Sequence, residues 1–222
     1  MDWLRHVCSY IYPIRIELTS STINHCLEIA YVDGQLQLNT KNAIYSFGRH
    51  YTKFSNAFKQ INFQERPIDK VLMLGFGSGT VATLLVDEYQ IDCSIDAVEI
   101  DPVVIELGKK YFDTDRFTNL TIYNTDAIEF LRQCTKTYDL LVMDVFLDIN
   151  VPKPFRNSDF VSLLKKSLAE NGLLLFNMVG RSYKLKQQVR EMHELLQHSF
   201  SKVALHKPSE IFIAENSGVL AL

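Results

Sequence analysis

The sequence predicts an α/β fold in which a mostly parallel sheet of seven strands ends in an antiparallel strand pair and is preceded by a small N-terminal β-hairpin unit. Three observations carry this reading. From Val71 onward, short apolar runs alternate with helical patterns, as strands buried on both faces and their crossover helices do. The first run, Val71-Leu72-Met73-Leu74, ends in the alternating glycines Gly75, Gly77 and Gly79, the mark of a sharp strand-to-helix turn. The last two strand-like runs are separated only by Lys207-Pro208-Ser209-Glu210, too short for a parallel crossover.

The elements follow in order. Ile14 to Thr19 and the region around Leu27 to Val32 alternate apolar and polar residues, as half-buried strands do. Asp33-Gly34 is a hairpin signal because glycine tolerates positive φ, and Leu36-Gln37-Leu38 resumes the alternation. Phe47, Tyr51, Phe54, Phe58 and Ile61 fall at helical spacing and predict a connecting helix with an apolar core-facing stripe. The sheet strands are then Val71 to Leu74, Ser94 to Glu99, Leu120 to Tyr123, Leu140 to Asp144 and Leu173 to Met178. Helices fill the gaps: Thr80 to Tyr89, Pro102 to Phe112 with proline in its first turn, Ala127 to Cys134, and Asp159 to Leu168. Glu170-Asn171-Gly172 is expected to close the fourth of these. An amphipathic helix around Leu185 to Phe200 precedes the terminal strands Lys202 to His206 and Ile211 to Ala214. The expected division is an N-terminal β-hairpin unit with its connecting helix over 1–62 and a Rossmann-like α/β domain over 63–222.

Composition narrows the function classes. At 222 residues with 47% hydrophobic content, the chain can bury one large core. A net charge of -3 gives no global attraction for a polyanion, so nucleic acid is not the expected partner. The four cysteines form no C-x-x-C pair or zinc-type spacing, which suits buried thiols in a reducing compartment and no metal site. His193 and His198, five apart on a helix, do not share a face as a metal pair would. Tyr183-Lys184-Leu185-Lys186 with Arg190 reads as a solvated helix face, and His50 as a surface or core histidine. No stretch is apolar and long enough to span a bilayer, and the opening residues form no secretory leader. A cytoplasmic protein is expected.

Ligands of open α/β sheets bind at the carboxyl ends of the strands. There the glycine loop is spaced G-x-G-x-G, with Thr80 where a dinucleotide fingerprint needs a third glycine. Glu99 ends the second strand about twenty residues on, where a carboxylate accepts hydrogen bonds from ribose hydroxyls. Asp126 follows the third strand, near an adenine amino group or as the N-cap of the next helix. Asp144 ends the fourth, where partial desolvation would raise its basicity and suit it to take a proton from an attacking amine or hold that amine as a cation. Asp148, four residues later, is a second acid or a turn former, and Val151-Pro152-Lys153-Pro154-Phe155 is expected as a flexible cover.

Five βα units followed by the strand pair form the methyltransferase-type, Rossmann-like arrangement. Over most of its length the chain resembles the spermidine synthase group of the S-adenosylmethionine-dependent methyltransferase superfamily. The resemblance rests on Val32-Asp33-Gly34-Gln35-Leu36-Gln37-Leu38, the glycine loop, Val98-Glu99-Ile100-Asp101, Asp126 with Phe130-Leu131, and Tyr138-Asp139-Leu140-Leu141-Val142-Met143-Asp144. It implies a site for S-adenosylmethionine, or its decarboxylated form, built from Gln37, Gly75, Gly77, Ser78, Gly79, Glu99, Ile100, Asp126 and Ala127. Asp144 would occupy the catalytic-base position. Tyr45 and Asp148 would touch a small-molecule acceptor, and the N-terminal β unit would form a homodimer contact.

The departures are as specific. Aminopropyltransferases carry G-G-G-D-G, whose aspartate binds the ligand's amine, and Ser78 stands there. Ordinary methyltransferases place an acid two residues before the first glycine, where this chain has Met73. The D-S-S-D-P after the fourth strand becomes Asp144-Val145-Phe146-Leu147-Asp148. The D-E-F-x-Y-H-E stretch becomes Asn42-Ala43-Ile44-Tyr45-Ser46-Phe47-Gly48, with Tyr45 a neighbouring replacement for the phenol. A polyamine channel needs carboxylates to offset ammonium desolvation, and most are gone. Methyl transfer to another acceptor is the leading expectation. Aminopropyl transfer and a non-catalytic nucleoside-binding or scaffolding role are the alternatives, separated by the acidity and openness of the cavity.

Overall fold

A computed structural model describes residues 3–46, 52–180 and 182–216. Its N-terminal part is a four-stranded antiparallel sheet of β1 (Ile14–Thr19), β2 (Leu27–Val32), β3 (Gln35–Asn39) and β4 (Ile44–Ser46), preceded by helix α1 (Trp3–Cys8). Asp33 and Gly34 lie at φ 48° and 75° between paired Val32 and Gln35, the two-residue hairpin the sequence predicts. β4 and α1 were not anticipated, since three and six residues are too short to display a period.

Helix α2 (Thr52–Phe58) leads into the large sheet. Phe47, Tyr51 and His50 lie outside the described residues. Phe54 and Phe58 are fully buried, packed with Val71, Met73, Leu140 and Leu175 of the large sheet rather than with the small one.

The large sheet has the order β10-β11-β9-β8-β5-β6-β7. Its first half is β5 (Lys70–Leu74), α3 (Thr80–Thr83, continued by a π-helical turn over Leu84–Glu88), β6 (Ser94–Glu99), α4 (Pro102–Phe112), β7 (Leu120–Asn124) and α5 (Ala127–Gln133). The second is β8 (Tyr138–Met143), α6 (Ser158–Lys166), β9 (Leu168–Asn177), α7 (Tyr183–Ser199), β10 (Lys202–His206) and β11 (Ile211–Glu215). β5 through β9 run parallel, and β11 inserts antiparallel between β9 and β10, as the short final gap requires. Alternation sends Leu72 and Leu74 into one layer and Val71 and Met73 into the other, so both faces are covered.

One boundary is corrected. α6 stops at Lys166, and Glu170-Asn171-Gly172 lies inside β9 rather than closing the helix. Asn171 has φ 61°, and the β8–β9 register slips between Tyr138 and Leu140, so the glycine and asparagine mark an irregularity in a long strand. A Cβ on Gly172 would lie 2.9 Å from the Tyr138 carbonyl.

The small sheet sits over the carboxyl ends of β5 and β6. Leu27, Ile29 and Leu38 pack on Val104 and Leu107 of α4. Beside them the wholly buried Asp101 forms a clasp: Oδ2 accepts from Ser21 Oγ at 2.5 Å and Asn24 Nδ2 at 2.7 Å, while Oδ1 caps α4 through the Val103 N–H at 3.0 Å. Asp101→Ala would orphan these donors and is expected to lower the unfolding free energy by about 3 kcal/mol in urea titrations. A loss below about 1 kcal/mol would mean that solvent replaces the carboxylate and that the clasp does not hold the small sheet.

Candidate functional site

The strand order reverses between β5 and β8, and a cleft opens at their carboxyl ends. The cleft is a cavity of about 940 Å³. One half lies over β5, β6 and β7. Gly75 has φ 83°, and a Cβ there would stand 2.4 Å from the Asp144 carbonyl oxygen, so only glycine lets β5 leave the sheet against β8. The three glycine N–H groups are turned inward. Gly75 N–H donates to the Val98 carbonyl at 2.9 Å, Gly77 N–H to Glu99 Oε2 at 3.0 Å, and Gly79 N–H to the Phe76 carbonyl at 3.2 Å. The glycines therefore shape a close approach and do not present an anion-binding row.

Glu99 is recessed at the end of β6. Burial pushes its carboxyl above the ordinary carboxylate range, opposed by hydrogen bonds from the backbone N–H groups of Asp101 and Gly77. Each oxygen uses one acceptor site on the backbone, and a carboxylate offers about four in all. Asn124 Nδ2 fixes the strand exit through the carbonyls of Glu99 and Ile100, at 2.8 and 3.0 Å. Ile100, Asp126 and Ala127 line the same half. Asp126 caps α5 through Oδ1, which accepts from Ile128 and Glu129 N–H at 2.8 and 3.1 Å. Both bonds fall on one oxygen, so capping and a ligand contact through Oδ2 do not exclude each other.

The other half lies over β8 and β9. Asp144 N–H donates to the Leu74 carbonyl at 2.8 Å, and Asp144 Oδ1 accepts from Asn177 Nδ2 at 2.8 Å. Lys53 of α2 donates to Asn177 Oδ1 and to the Met178 carbonyl, both at 3.3 Å. Val145, Phe146, Ile149, Phe155 and Val179 complete this wall. Desolvation raises the Asp144 carboxyl to about 6, with the Asn177 hydrogen bond and the Lys53 charge pulling the other way. Near neutral pH it is a carboxylate of raised basicity, suited to accept a proton.

Residues 60–208 match the spermine/spermidine synthase domain. The chain belongs to this family. Within the family's neighbourhood, a polyamine aminopropyltransferase from Vibrio vulnificus is 28% identical over 123 residues, 54% of this chain and 40% of that protein. The human eEF1A lysine and N-terminal methyltransferase is 27% identical over 131 residues, 54% of this chain and 19% of that protein. The matched part is less than half of either relative. Spermidine synthase from Thermotoga maritima superposes with a TM-score of 0.70 over 92% of this chain and 73% of that one, at 16% identity. Human methyltransferase-like protein 13, in complex with SAH, superposes at 0.61 over 78% and 83%, at 20% identity. At such identities the superpositions establish the Rossmann-like α/β fold. Among the described residues no helix is long and apolar enough to cross a membrane.

The structure divides the residues expected from the resemblance to spermidine synthases between the cavity lining and its surroundings. Gly75, Gly77, Glu99, Ile100, Asp126, Ala127, Asp144, Tyr45 and Asp148 line the cavity, but Gln37, Ser78 and Gly79 do not. Gln37 is buried behind the wall and donates to Asn39, which does line it. Ser78 is buried with its Oγ unpartnered among the described residues, and its Cα packs beside Gly108 of α4. Gly79 turns the chain into α3 at φ 85°. Asp148 lines the cavity with both carboxylate oxygens already engaged. At φ 56° it takes Thr40 Oγ1 and Asn42 N–H on Oδ1, both at 3.0 Å, and Asn42 Nδ2 on Oδ2 at 2.6 Å, tying the β3–β4 turn to the loop after β8. Desolvation acts upward on this carboxyl, but those donors and the Lys41 charge outweigh it and hold it below its ordinary value.

Tyr45 is a tie as well. Its hydroxyl accepts from Asp148 N–H at 3.3 Å and lies 3.0 Å from Asn24 Oδ1 and 3.2 Å from the Phe146 carbonyl. Burial raises the phenol to about 12, so it stays protonated near neutral pH. The segment Val151 to Phe155 is no flexible cover. Val151 and Phe155 are buried in the core, with Phe155 edge-on to Phe160 at 5.1 Å. Sequence reasoning missed Lys53 and Asn177. A polar residue ending the apolar run Leu173-Leu174-Leu175-Phe176 was the available signal for Asn177; Lys53 had none.

Asp144→Asn isolates the raised carboxyl. A group whose folded value lies above its unfolded one adds stability that is fully present below the unfolded value, near 3.8, and lost as pH rises through about 6. Relative to the variant, the wild type is expected to lose on the order of 2–3 kcal/mol between about pH 4 and about pH 7, discounted for the solvent that reaches the side chain through the cavity. Urea unfolding at both pH values reads this, and a difference independent of pH would mean that Asp144 ionises normally.

Proposed function

We propose that the chain is a transferase that binds an S-adenosylmethionine-type nucleoside and moves its methyl group to a small-molecule acceptor carrying no array of positive charges. The single observation that carries the choice is the surroundings of Asp144. The acid is bound to Asn177 within a largely apolar wall, with an ammonium, Lys53, close enough to pull on its titration, and the other acid of the loop is spent on Thr40 and Asn42. Desolvating a polyamine's ammonium groups requires clustered carboxylates, and this wall sets one buried acid beside an ammonium instead.

The residues present fit the nucleoside. Glu99 keeps acceptor capacity for ribose hydroxyls, Asp126 Oδ2 suits an exocyclic amine, and Ile100 and Ala127 give apolar sides for a purine. The cavity is large enough for nucleoside and acceptor together, which supports turnover over a scaffolding role. When bound, the sulfonium supplies an electrophilic methyl and a neutral thioether leaving group. The chain's part is positioning and exclusion of water, with Asp144 receiving or steering the acceptor's proton. Relatives named as both aminopropyl- and methyltransferases support the broader class.

S-adenosylmethionine is expected to raise the unfolding free energy by about 2.7 kcal/mol at a hundredfold excess over its Kd, and Glu99→Gln to weaken every adenosine ligand alike by about tenfold. Decarboxylated S-adenosylmethionine with putrescine should release no methylthioadenosine. Release would move the assignment to aminopropyl transfer, and no shift with any of these nucleosides would overturn the transferase reading.

A further inference from the structure

The sulfonium nucleosides differ at the tail. S-adenosylmethionine ends in an ammonium and a carboxylate, the decarboxylated form in an ammonium alone. Both positions at which related enzymes keep an acid for that ammonium are closed in this chain. Met73 is 2% exposed within the core layer that holds Phe54 and Leu175, and Ser78 is buried outside the cavity lining.

What the cavity does hold on that side is a cation. If, as in the proposed function, Glu99 at the end of β6 takes the ribose and Asp126 beyond β7 the purine, the sulfonium arm would run the other way along the strand ends, over β5 to β8 and β9. Lys53 stands there, fastened to Asn177 Oδ1 and the Met178 carbonyl at 3.3 Å, with Asn177 in turn holding Asp144 at 2.8 Å. Gly75, packed against the Asp144 backbone, brings the loop to the same point.

We propose that Lys53 anchors the carboxylate of the ligand's tail, and so selects the carboxylated nucleoside over the decarboxylated one. This rests on the cofactor reading above. In a partly desolvated cavity an ammonium–carboxylate contact is a charge-assisted hydrogen bond, whereas a decarboxylated tail sets ammonium against ammonium. The Asn177 bridge fixes the lysine head, so little side-chain entropy remains to be lost on binding. The chain thus reads the ligand by its anion and not by its amine.

The test is calorimetric titration of the full chain and of the variants Lys53→Met and Lys53→Arg with S-adenosylmethionine, its decarboxylated form and methylthioadenosine, which lacks the aminoalkyl tail. The wild type is expected to favour the carboxylated over the decarboxylated ligand by at least about tenfold. Lys53→Met should weaken S-adenosylmethionine by about tenfold to a hundredfold and leave methylthioadenosine unchanged, which also reports that the variant is folded. Lys53→Arg should restore most of the loss. Equal weakening of all three ligands, or an unaltered preference in Lys53→Met, overturns the assignment while leaving the nucleoside site standing. If methylthioadenosine fails to bind the wild type, the cofactor reading falls and takes this one with it.

Discussion

The crossing of Gly75 over the Asp144 backbone is the constraint on which the rest of the molecule is arranged. β5 and β8 are adjacent parallel strands whose connections run to opposite sides, so their exits must diverge at the switch point. The approach that permits this leaves no room for a side chain, since a Cβ would fall 2.4 Å from the Asp144 carbonyl. Two hydrogen bonds hold the crossing, Gly75 N–H to Val98 and Asp144 N–H to Leu74. Everything chemical in the cleft is referenced to it: Glu99 one residue beyond Val98, Asp144 itself, and Asn177 one strand further on.

The same crossing explains why some of the chain was legible and some was not. Buried central strands must be continuously apolar, and turns at positive φ favour glycine, so the strands, the Asp33-Gly34 hairpin and the cleft position could be read from residue type and spacing. Asp126 was readable in both of its senses because a cap and a site acid occupy the same place after a strand. What failed was the reading of orientation. Ser78 and Gly79 lie in the same loop as Gly77, yet a left-handed turn at each glycine rotates successive residues away from the cavity. Asn171-Gly172 looks like a helix stop because positive φ serves a bulged strand equally well. Lys53 was invisible because its partners, Asn177 and Met178, are more than a hundred residues away in sequence and adjacent only through the packing of α2 on the large sheet.

The second half of the cavity is built by polar groups that bond to one another. Polar groups that could receive a cationic acceptor are present but turned to structural work. Asp148 and Asn42 lock the β3–β4 turn, and Tyr45 joins that lock to the Oδ1 of Asn24, whose Nδ2 donates to Asp101 beyond β6. The chain Asp101–Asn24–Tyr45–Asp148 therefore runs from one half of the site to the other across the small sheet. Satisfied buried networks of this kind fix geometry because leaving any member unpaired is costly. This wall of the cavity is held rigid by the bonds among Asn42, Tyr45 and Asp148.

Those bonds give the charge balance its meaning. With Asp148 held by Thr40 and Asn42, the half of the cavity over β8 and β9 sets the Asp144 carboxylate and the Lys53 ammonium on either side of Asn177. Asp144 is raised by desolvation despite this neighbour, which means that burial outweighs the attraction, and its ionised form is stabilised by any further cation that enters. A zwitterionic tail brings both signs and leaves the local charge balance unchanged, whereas a polycation would add charge to a wall with one acid to offset it. On the proposed reading, this balance suits a ligand that is neutral overall at its tail and leaves Asp144 for the single proton of the acceptor.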